Sequence, residues 1–368
     1  MPQREKDARA KSGGALTMDL SLARRMPAEW EKHEATWIAW PHHEPDWPGK
    51  LAAVQWVYAE IVRVLAECER VHVLCHDEDV RAQAESYLRA HAVALQNVDL
   101  TVIPTDRVWL RDSGPSFVWN TEGDVELMAW GFNAWAKYDN YSHDARVPDA
   151  VQSLTRLQLR RPVRDDAPGQ RLVLEGGGID VNGDGRILVT EEWLLSDQQV
   201  RNPGMTKSDY ERAFATYLGC SETIWLGHGC VGDDTHGHID DVARFVSFDT
   251  VVLAYEADPA DDNFASSQDN LRRLQMAGGD RPLNVIPLPY PRPVIMDGLR
   301  LPASYANFYV ANGAVLVPTF NDPNDRIALN TLADLFPAHR VVGIHAVDLV
   351  WGYGTLHCLT QQQPARRR

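Results

Sequence analysis

A helix followed by a short apolar strand recurs along this chain of 368 residues, and few folds accommodate such a repeat. Residues 51 to 67 place Val54, Val57, Ile61, Val64 and Leu65 at helical spacing and lead into a strand at Val71 to Cys75. Five further instances are expected. Helices at 79 to 92, 148 to 158, 208 to 218, 263 to 276 and 325 to 336 lead to strands at 100 to 103, 172 to 174, 223 to 226, 284 to 286 and 341 to 344. Additional β runs are expected from Glu34 to Trp40, at 115 to 119, 125 to 130, 242 to 248 and 251 to 255, and across the Asn312-Gly313 turn. Alternation of this kind predicts an α/β fold assembled from similar units, with chemistry on the loops at the strand ends.

The composition shows no break that would divide the chain, so residues 26 to 368 are expected to form one catalytic domain behind a polar, disordered leader at 1 to 25. The net charge of -15 disfavours nucleic acid and anionic membranes as partners and favours small cationic molecules. Five cysteines without paired spacing, and no apolar targeting or membrane-spanning run, predict a reduced cytoplasmic protein. A homo-oligomer is left open.

Four loops concentrate the reactive residue types. Trp109-Leu-Arg-Asp112-Ser-Gly-Pro offers a carboxylate that can hold a planar cation and an indole face beside it, or equally a turn closed by its own Arg-Asp pair. In Glu175-Gly-Gly-Gly, three glycines after an acid permit close backbone approach. The stretch just after it, Asp180 to Glu191, has the spacing of a calcium loop, but it lacks an incoming helix, and a hairpin turn at Asn182 to Gly185 is expected instead. The densest cluster runs from Gly227 to Asp241 and holds His228, His236, His238, Asp240 and Asp241. Its His-x-His-x-Asp run admits a metallohydrolase set of His228, His236, His238 and Asp240. It also admits a pairing of His238 with Cys358, with Asp240 on the same face of an extended segment. The fourth loop, Trp351-Gly-Tyr-Gly-Thr-Leu-His-Cys358, delivers a cysteine through a glycine-rich approach.

At these residues the sequence resembles the agmatine deiminase and bacterial-type peptidylarginine deiminase family of the guanidine-modifying pentein superfamily. The likeness rests on Pro27-Ala-Glu29-Trp30-Glu31, the Trp109 to Pro115 loop, Gly131-Phe-Asn-Ala-Trp135, Glu175-Gly-Gly, Gly237-His238-Ile-Asp240 and His357-Cys358-Leu-Thr-Gln-Gln. It implies a pentein-type five-module α/β propeller with a pseudo-five-fold arrangement around a central active site, and no metal or other cofactor. It also implies a cysteine nucleophile, Cys358, with His238 as acid and base and Glu175 as its supporting carboxylate. Asp112, Asp240 and Trp109 are then the guanidinium-binding residues. The implied reaction is hydrolysis of agmatine to N-carbamoylputrescine and ammonia, within putrescine and polyamine metabolism, or deimination of a peptidyl arginine or another small guanidine. A non-catalytic binding protein keeping the fold is the remaining reading. His236 and Tyr353 to Leu356 depart from the agmatine pattern, and Arg111 and Arg244 are candidates to meet a substrate carboxylate.

Overall fold

The computed structural model describes residues 24–367. Five sheets of three or four strands share one construction: an antiparallel pair, a crossover helix, and a strand laid parallel to the second member of the pair. Ser116–Asn120 pairs with Val125–Met128, and the helix Val147–Thr155 leads to Gln158–Arg160. Asp180–Val181 pairs with Arg186–Thr190, and Lys207–Leu218 leads to Glu222–Leu226. Ala243–Phe245 pairs with Thr250–Tyr255, and Phe264–Met276 leads to Asn284–Pro289. Tyr309–Ala311 pairs with Ala314–Thr319, and Asn324–Leu335 leads to Arg340–His345.

The fifth sheet joins the two ends of the chain. Gln361–Pro364 runs antiparallel to His33–Ala39, Leu51–Ala66 carries the chain to Arg70–Cys75, and Glu78–Ala90 adds Val98–Val102. Arg24–Arg25, placed in the expected leader, instead forms a short edge strand on Ser116–Asn120; the rest of that leader lies outside the described residues.

Local chemistry accounts for these elements. Leu51–Ala66 buries Val54, Tyr58, Ile61, Val62, Val64 and Leu65, the apolar stripe that its periodicity requires. Lys207–Leu218 starts at a reciprocal capping box between Thr206 and Asp209 and stops at Gly219 in the left-handed region. The middle strands, hydrogen-bonded on both edges and covered by helices, are continuous apolar runs such as Ile187 to Val189 and Ala314 to Val317.

One expected strand is displaced. The third crossover delivers Gln158–Arg160 and not residues 172 to 174, because Arg156 turns left-handed (φ 62°) and ends the helix earlier than its periodicity suggests. Residues 172 to 174 are held by a single bridge from Val173 to Gly131, although Leu172 and Leu174 are fully buried. The Asn182 to Gly185 hairpin stands as expected. Asn182 Oδ1 accepts from the amides of Asp184 and Arg186, while Asp180 is committed to Arg244 and the amide of Phe245. Among the described residues no helix is long and apolar enough to cross a membrane.

A short turn precedes Ser116, Asp180, Ala243, Tyr309 and Gln361, each the start of one strand in one of these five sheets. The turns are Leu110–Ser113, Gly176–Gly178, Ile239–Asp241, the bend at 304 to 307, and Leu356–Leu359. They carry Asp112, Asp240, Asn307 and Cys358, and Glu175 stands just before Gly176, each near the entry to one strand of a different sheet.

Candidate active site

The five turns pack on one another through their polar groups. Gly177 donates its amide to Asp112 Oδ1 at 3.0 Å, and Asn307 Nδ2 donates to Cys358 Sγ at 3.1 Å. The Cys358 thiol in turn lies 3.4 Å from Asp240 Oδ2. Space at the centre is so tight that a Cβ on Gly177 would stand 2.6 Å from His238 Nδ1 and 2.8 Å from Asp112 Oδ1. Glycine here serves close approach and not an unusual φ.

His238 is buried between two acids, with Nδ1 at 3.8 Å from Asp112 and Nε2 at 3.6 Å from Glu175. Neither ring nitrogen has a hydrogen-bond partner. Burial works against the imidazolium, but Asp112, Glu175 and Asp240 outweigh it and hold the ring up at about 9. Trp193 stacks edge-on against this ring and donates its Nε1 to Glu175 at 2.7 Å. Burial would raise Glu175, yet Arg201, 3.1 Å away, and His238 bring it down to about 2. Asp112 is pushed up to about 6 by burial, with Asp240 and Glu175 adding to the effect. Its Oδ2 accepts from Trp135 Nε1 at 2.9 Å. Trp135 lies in a run of three left-handed residues, Ala134, Trp135 and Ala136 (φ 48°, 59° and 52°), strain stored where an indole must be aimed.

Cys358 is 6% exposed. Burial, then Asp240, Asp241 and Asp112, raise its thiol well above the ordinary range, so the resting side chain is a neutral thiol. It opens into a cavity of about 330 Å³ that Asp112, Trp109 and Trp135 also line. Trp109 tilts against Trp47 at 5.6 Å, and Gly354 leaves room for it, since a Cβ there would be 2.7 Å from the indole.

Every residue expected to act on a guanidinium therefore reaches one place. Asp240 reaches it through a 3-10 turn rather than along an extended segment shared with His238. The alternative metal set that the same cluster admits does not assemble. His228 is 74% exposed beside Glu192, His236 hydrogen-bonds Ser196 at 2.9 Å, and His238 faces Asp112 and Glu175. Among the described residues the group with metal-ligand spacing is Asp240, Asp241 and Cys358, which shares only Asp240 with that set.

Arg111 and Arg244 are likewise not free to meet a substrate carboxylate. Both are buried on Glu29, at 3.2 and 2.9 Å, and Arg111 also donates to Gln362 and to the carbonyl of His357. Glu29 further accepts from the amide of Val310 and faces His357 Nε2 at 2.9 Å. Burial opposes its ionisation, but Arg244, His357 and Arg111 hold it well below the usual carboxylate range. His357 Nδ1 contacts Asp240 Oδ2 at 2.8 Å, so carboxylates face both ring nitrogens.

Glu29, His357 and Asn307 are thus residues of the site to which sequence reasoning gave no role, and Asp241 stood in the dense cluster without one. Asn307 Oδ1 takes up Thr355 Oγ1 and the amide of His357, while its amide nitrogen reaches Asp241 and Cys358. Glu29 and His357 stood inside quoted motifs without a role, and Asn307 had no signal beyond preceding a strand.

Residues 25–364 match the family model of the Porphyromonas-type peptidyl-arginine deiminase. The agmatine deiminase of Pseudomonas aeruginosa (strain LESB58) is 35% identical over 367 residues, covering 94% of this chain and 96% of its own. Among solved structures, agmatine deiminase of Enterococcus faecalis superposes with a TM-score of 0.85 at 30% identity, covering 95% of this chain and 98% of its own. A substrate-bound variant of the C. jejuni agmatine deiminase gives 0.84 at 27% identity, covering 94% and 97%.

Proposed function

We propose, from the premise that this chain belongs to the Porphyromonas-type peptidyl-arginine deiminase family, that it hydrolyses agmatine to N-carbamoylputrescine and ammonia. The fold is the α/β pentein fold. The entry turns, one to each of the five sheets, support reading these sheets as propeller modules in a pseudo-five-fold arrangement around the site. The return of Gln361–Pro364 to His33–Ala39 supports one catalytic domain over 26 to 368. The five described thiols are all unpaired, which supports a reducing, cytoplasmic setting.

One observation carries the mechanism: a thiol and a carboxylate, Cys358 and Asp112, line one cavity, with Asp240 3.4 Å behind the sulfur and the His238 ring 3.8 Å behind Asp112. A guanidinium carbon is a poor electrophile because its charge is spread over three nitrogens. Asp112 and Asp240 fix its plane by accepting from N–H edges, leaving the face open to Cys358. The thiol gives its proton to solvent, from which the sulfur is reprotonated when the product leaves, and the thiolate forms a C–S bond to that carbon. His238 gives its proton to the departing nitrogen as the C–N bond breaks, and ammonia leaves a thiouronium. The neutral imidazole then takes a proton from water, the hydroxide adds to the carbon, and C–S cleavage releases the ureido product. Glu175 keeps His238 oriented and charged, and Asn307 positions the sulfur.

Because carboxylates hold the thiol neutral, an arriving guanidinium should help to ionise it. Iodoacetamide inactivation followed against pH is expected to shift to lower pH, by about one unit, when a non-reactive guanidinium ligand is present. No shift, or an upward one, rejects substrate-assisted ionisation. The reaction itself is tested by ureido-product formation from agmatine, arginine and an arginyl peptide side by side. Agmatine is expected to give a kcat/KM at least about 10-fold above the others. A preference for the peptide would move the assignment within the same chemistry.

A further inference from the structure

Beyond the guanidine end, the cavity wall carries two acids, Asp46 and Asp234, and one arginine, Arg107. The acids differ in how far they are already satisfied. Asp234 Oδ1 is taken by Lys137 Nζ and Oδ2 by the Tyr138 hydroxyl at 2.7 Å. Asp46, on the short turn Glu44–Asp46, has only Arg107 Nε at 3.5 Å and His43 Nε2 at 3.9 Å, both beyond a good hydrogen bond. Its Oδ2 is buried without any partner. Arg107 cannot close on it, being held by the carbonyl of Asn140 at 3.0 Å and by the Tyr138 ring, 4.3 Å from its guanidinium carbon.

Oδ1, whose charged neighbours both stand beyond a good hydrogen bond, is the Asp46 oxygen left for the cavity, and such an acceptor gains most from a ligand that supplies the donor. Burial, with a contribution from Asp234, raises Asp46 to about 7 in spite of Arg107, consistent with a carboxyl short of cations. Lys137, by contrast, already neutralises Asp234, so a second cation gains less there.

On the deiminase reading of this same cavity, we propose that Asp46 is the specificity-determining carboxylate that receives the distal ammonium of an aminoalkylguanidine substrate. Between the two ends, the faces of Trp109, Tyr138 and Tyr353 enclose the methylene chain. The guanidine machinery sets the reaction, and Asp46 sets the preference for a cationic tail over an apolar one.

The experiment measures ureido-product formation from agmatine and from n-butylguanidine, which keeps the methylenes and lacks the amine. It uses the full chain and its Asp46→Asn, Asp46→Glu and Asp234→Asn variants. The expected result is a rise of about 10-fold or more in KM for agmatine in Asp46→Asn, with kcat within about 3-fold. The agmatine-to-butylguanidine ratio of kcat/KM should fall by the same factor, and Asp46→Glu, which keeps the charge, should retain most of it. Turnover of butylguanidine reports whether each variant is folded and competent. Equal losses on both guanidines would reduce Asp46 to a structural residue and overturn the proposal. So would a collapse of the ratio in Asp234→Asn with Asp46→Asn unaffected. A parent enzyme that turns over neither guanidine overturns the deiminase reading and this proposal with it; one that favours agmatine while Asp46→Asn keeps the same ratio overturns this proposal alone.

Discussion

Cys358→Ala is expected to lower kcat for ureido-product formation by at least about 10⁴-fold, to the limit of detection, while agmatine still binds. In the proposed mechanism the C–S bond turns a delocalised guanidinium into a hydrolysable thiouronium, and among the described residues no other cysteine lines the cavity. Among the described residues the remaining cysteines lie elsewhere in the fold: Cys75 and Cys220 are in the cores, Cys230 packs on Ala254 and Tyr290, and Cys68 is half-buried. Single-turnover and steady-state assays on one preparation, with agmatine binding measured by calorimetry, separate chemistry from binding. Survival of activity that a chelator abolishes would point back to a metal-dependent hydrolysis and sink the covalent mechanism. No turnover in the parent either would leave a binding protein with this fold.

His238→Asn is expected to cost about 10²- to 10⁴-fold in kcat, with a smaller change in KM, because in the proposed mechanism the ring moves protons in both halves of the reaction. The pH dependence follows from its surroundings. Its folded value is raised, to about 9, so the imidazolium that must donate is present below that pH and is lost as pH rises through it. Asp112 is also raised, to about 6, but as an acid it is the carboxylate only above that pH and loses its hold on a cation as pH falls through it. The parent kcat/KM for n-butylguanidine, which has no ammonium for Asp46 to hold, should therefore describe a bell with limbs near these two values. In His238→Asn the alkaline limb should disappear while the acid limb remains. An alkaline limb that persists unchanged would assign the proton transfers to another group.

Much of the architecture was legible before any coordinates. Repeated alternation of 3.6-residue periodicity with short apolar runs marked six crossover helices, because a helix covering a parallel strand must carry one apolar stripe and that strand must be apolar throughout. The misplaced third strand shows the limit. Leu172, Val173 and Leu174 satisfy the composition of a strand, but a strand is defined by a ladder partner, and the partner of Val125–Met128 was Gln158–Arg160. Nothing local in Gln-Leu-Arg announces that pairing.

The reactive residues were legible for a related reason. Cys358, His238, Asp112, Asp240 and Glu175 stand in loops rich in glycine, where side chains and backbone must come close, so polar residues there are conspicuous. The partners that set their charge states were not. Arg111 looked like the local mate of Asp112 and is instead the mate of Glu29, 82 positions away; His357 meets Glu29 across 328 positions and Asp240 across 117.

The sequence by itself determined most element types and the kind of chemistry and singled out a candidate nucleophile, because periodicity, glycine and reactive side chains are local properties of a chain. Only the tertiary structure decided that Arg111 and Arg244 are spent inside the protein, that His228 and His236 stand apart from His238, and that Asp46 faces the same cavity as Cys358. These are matters of which distant groups share one low-dielectric space, where a few ångströms separate a satisfied charge from one waiting for a ligand.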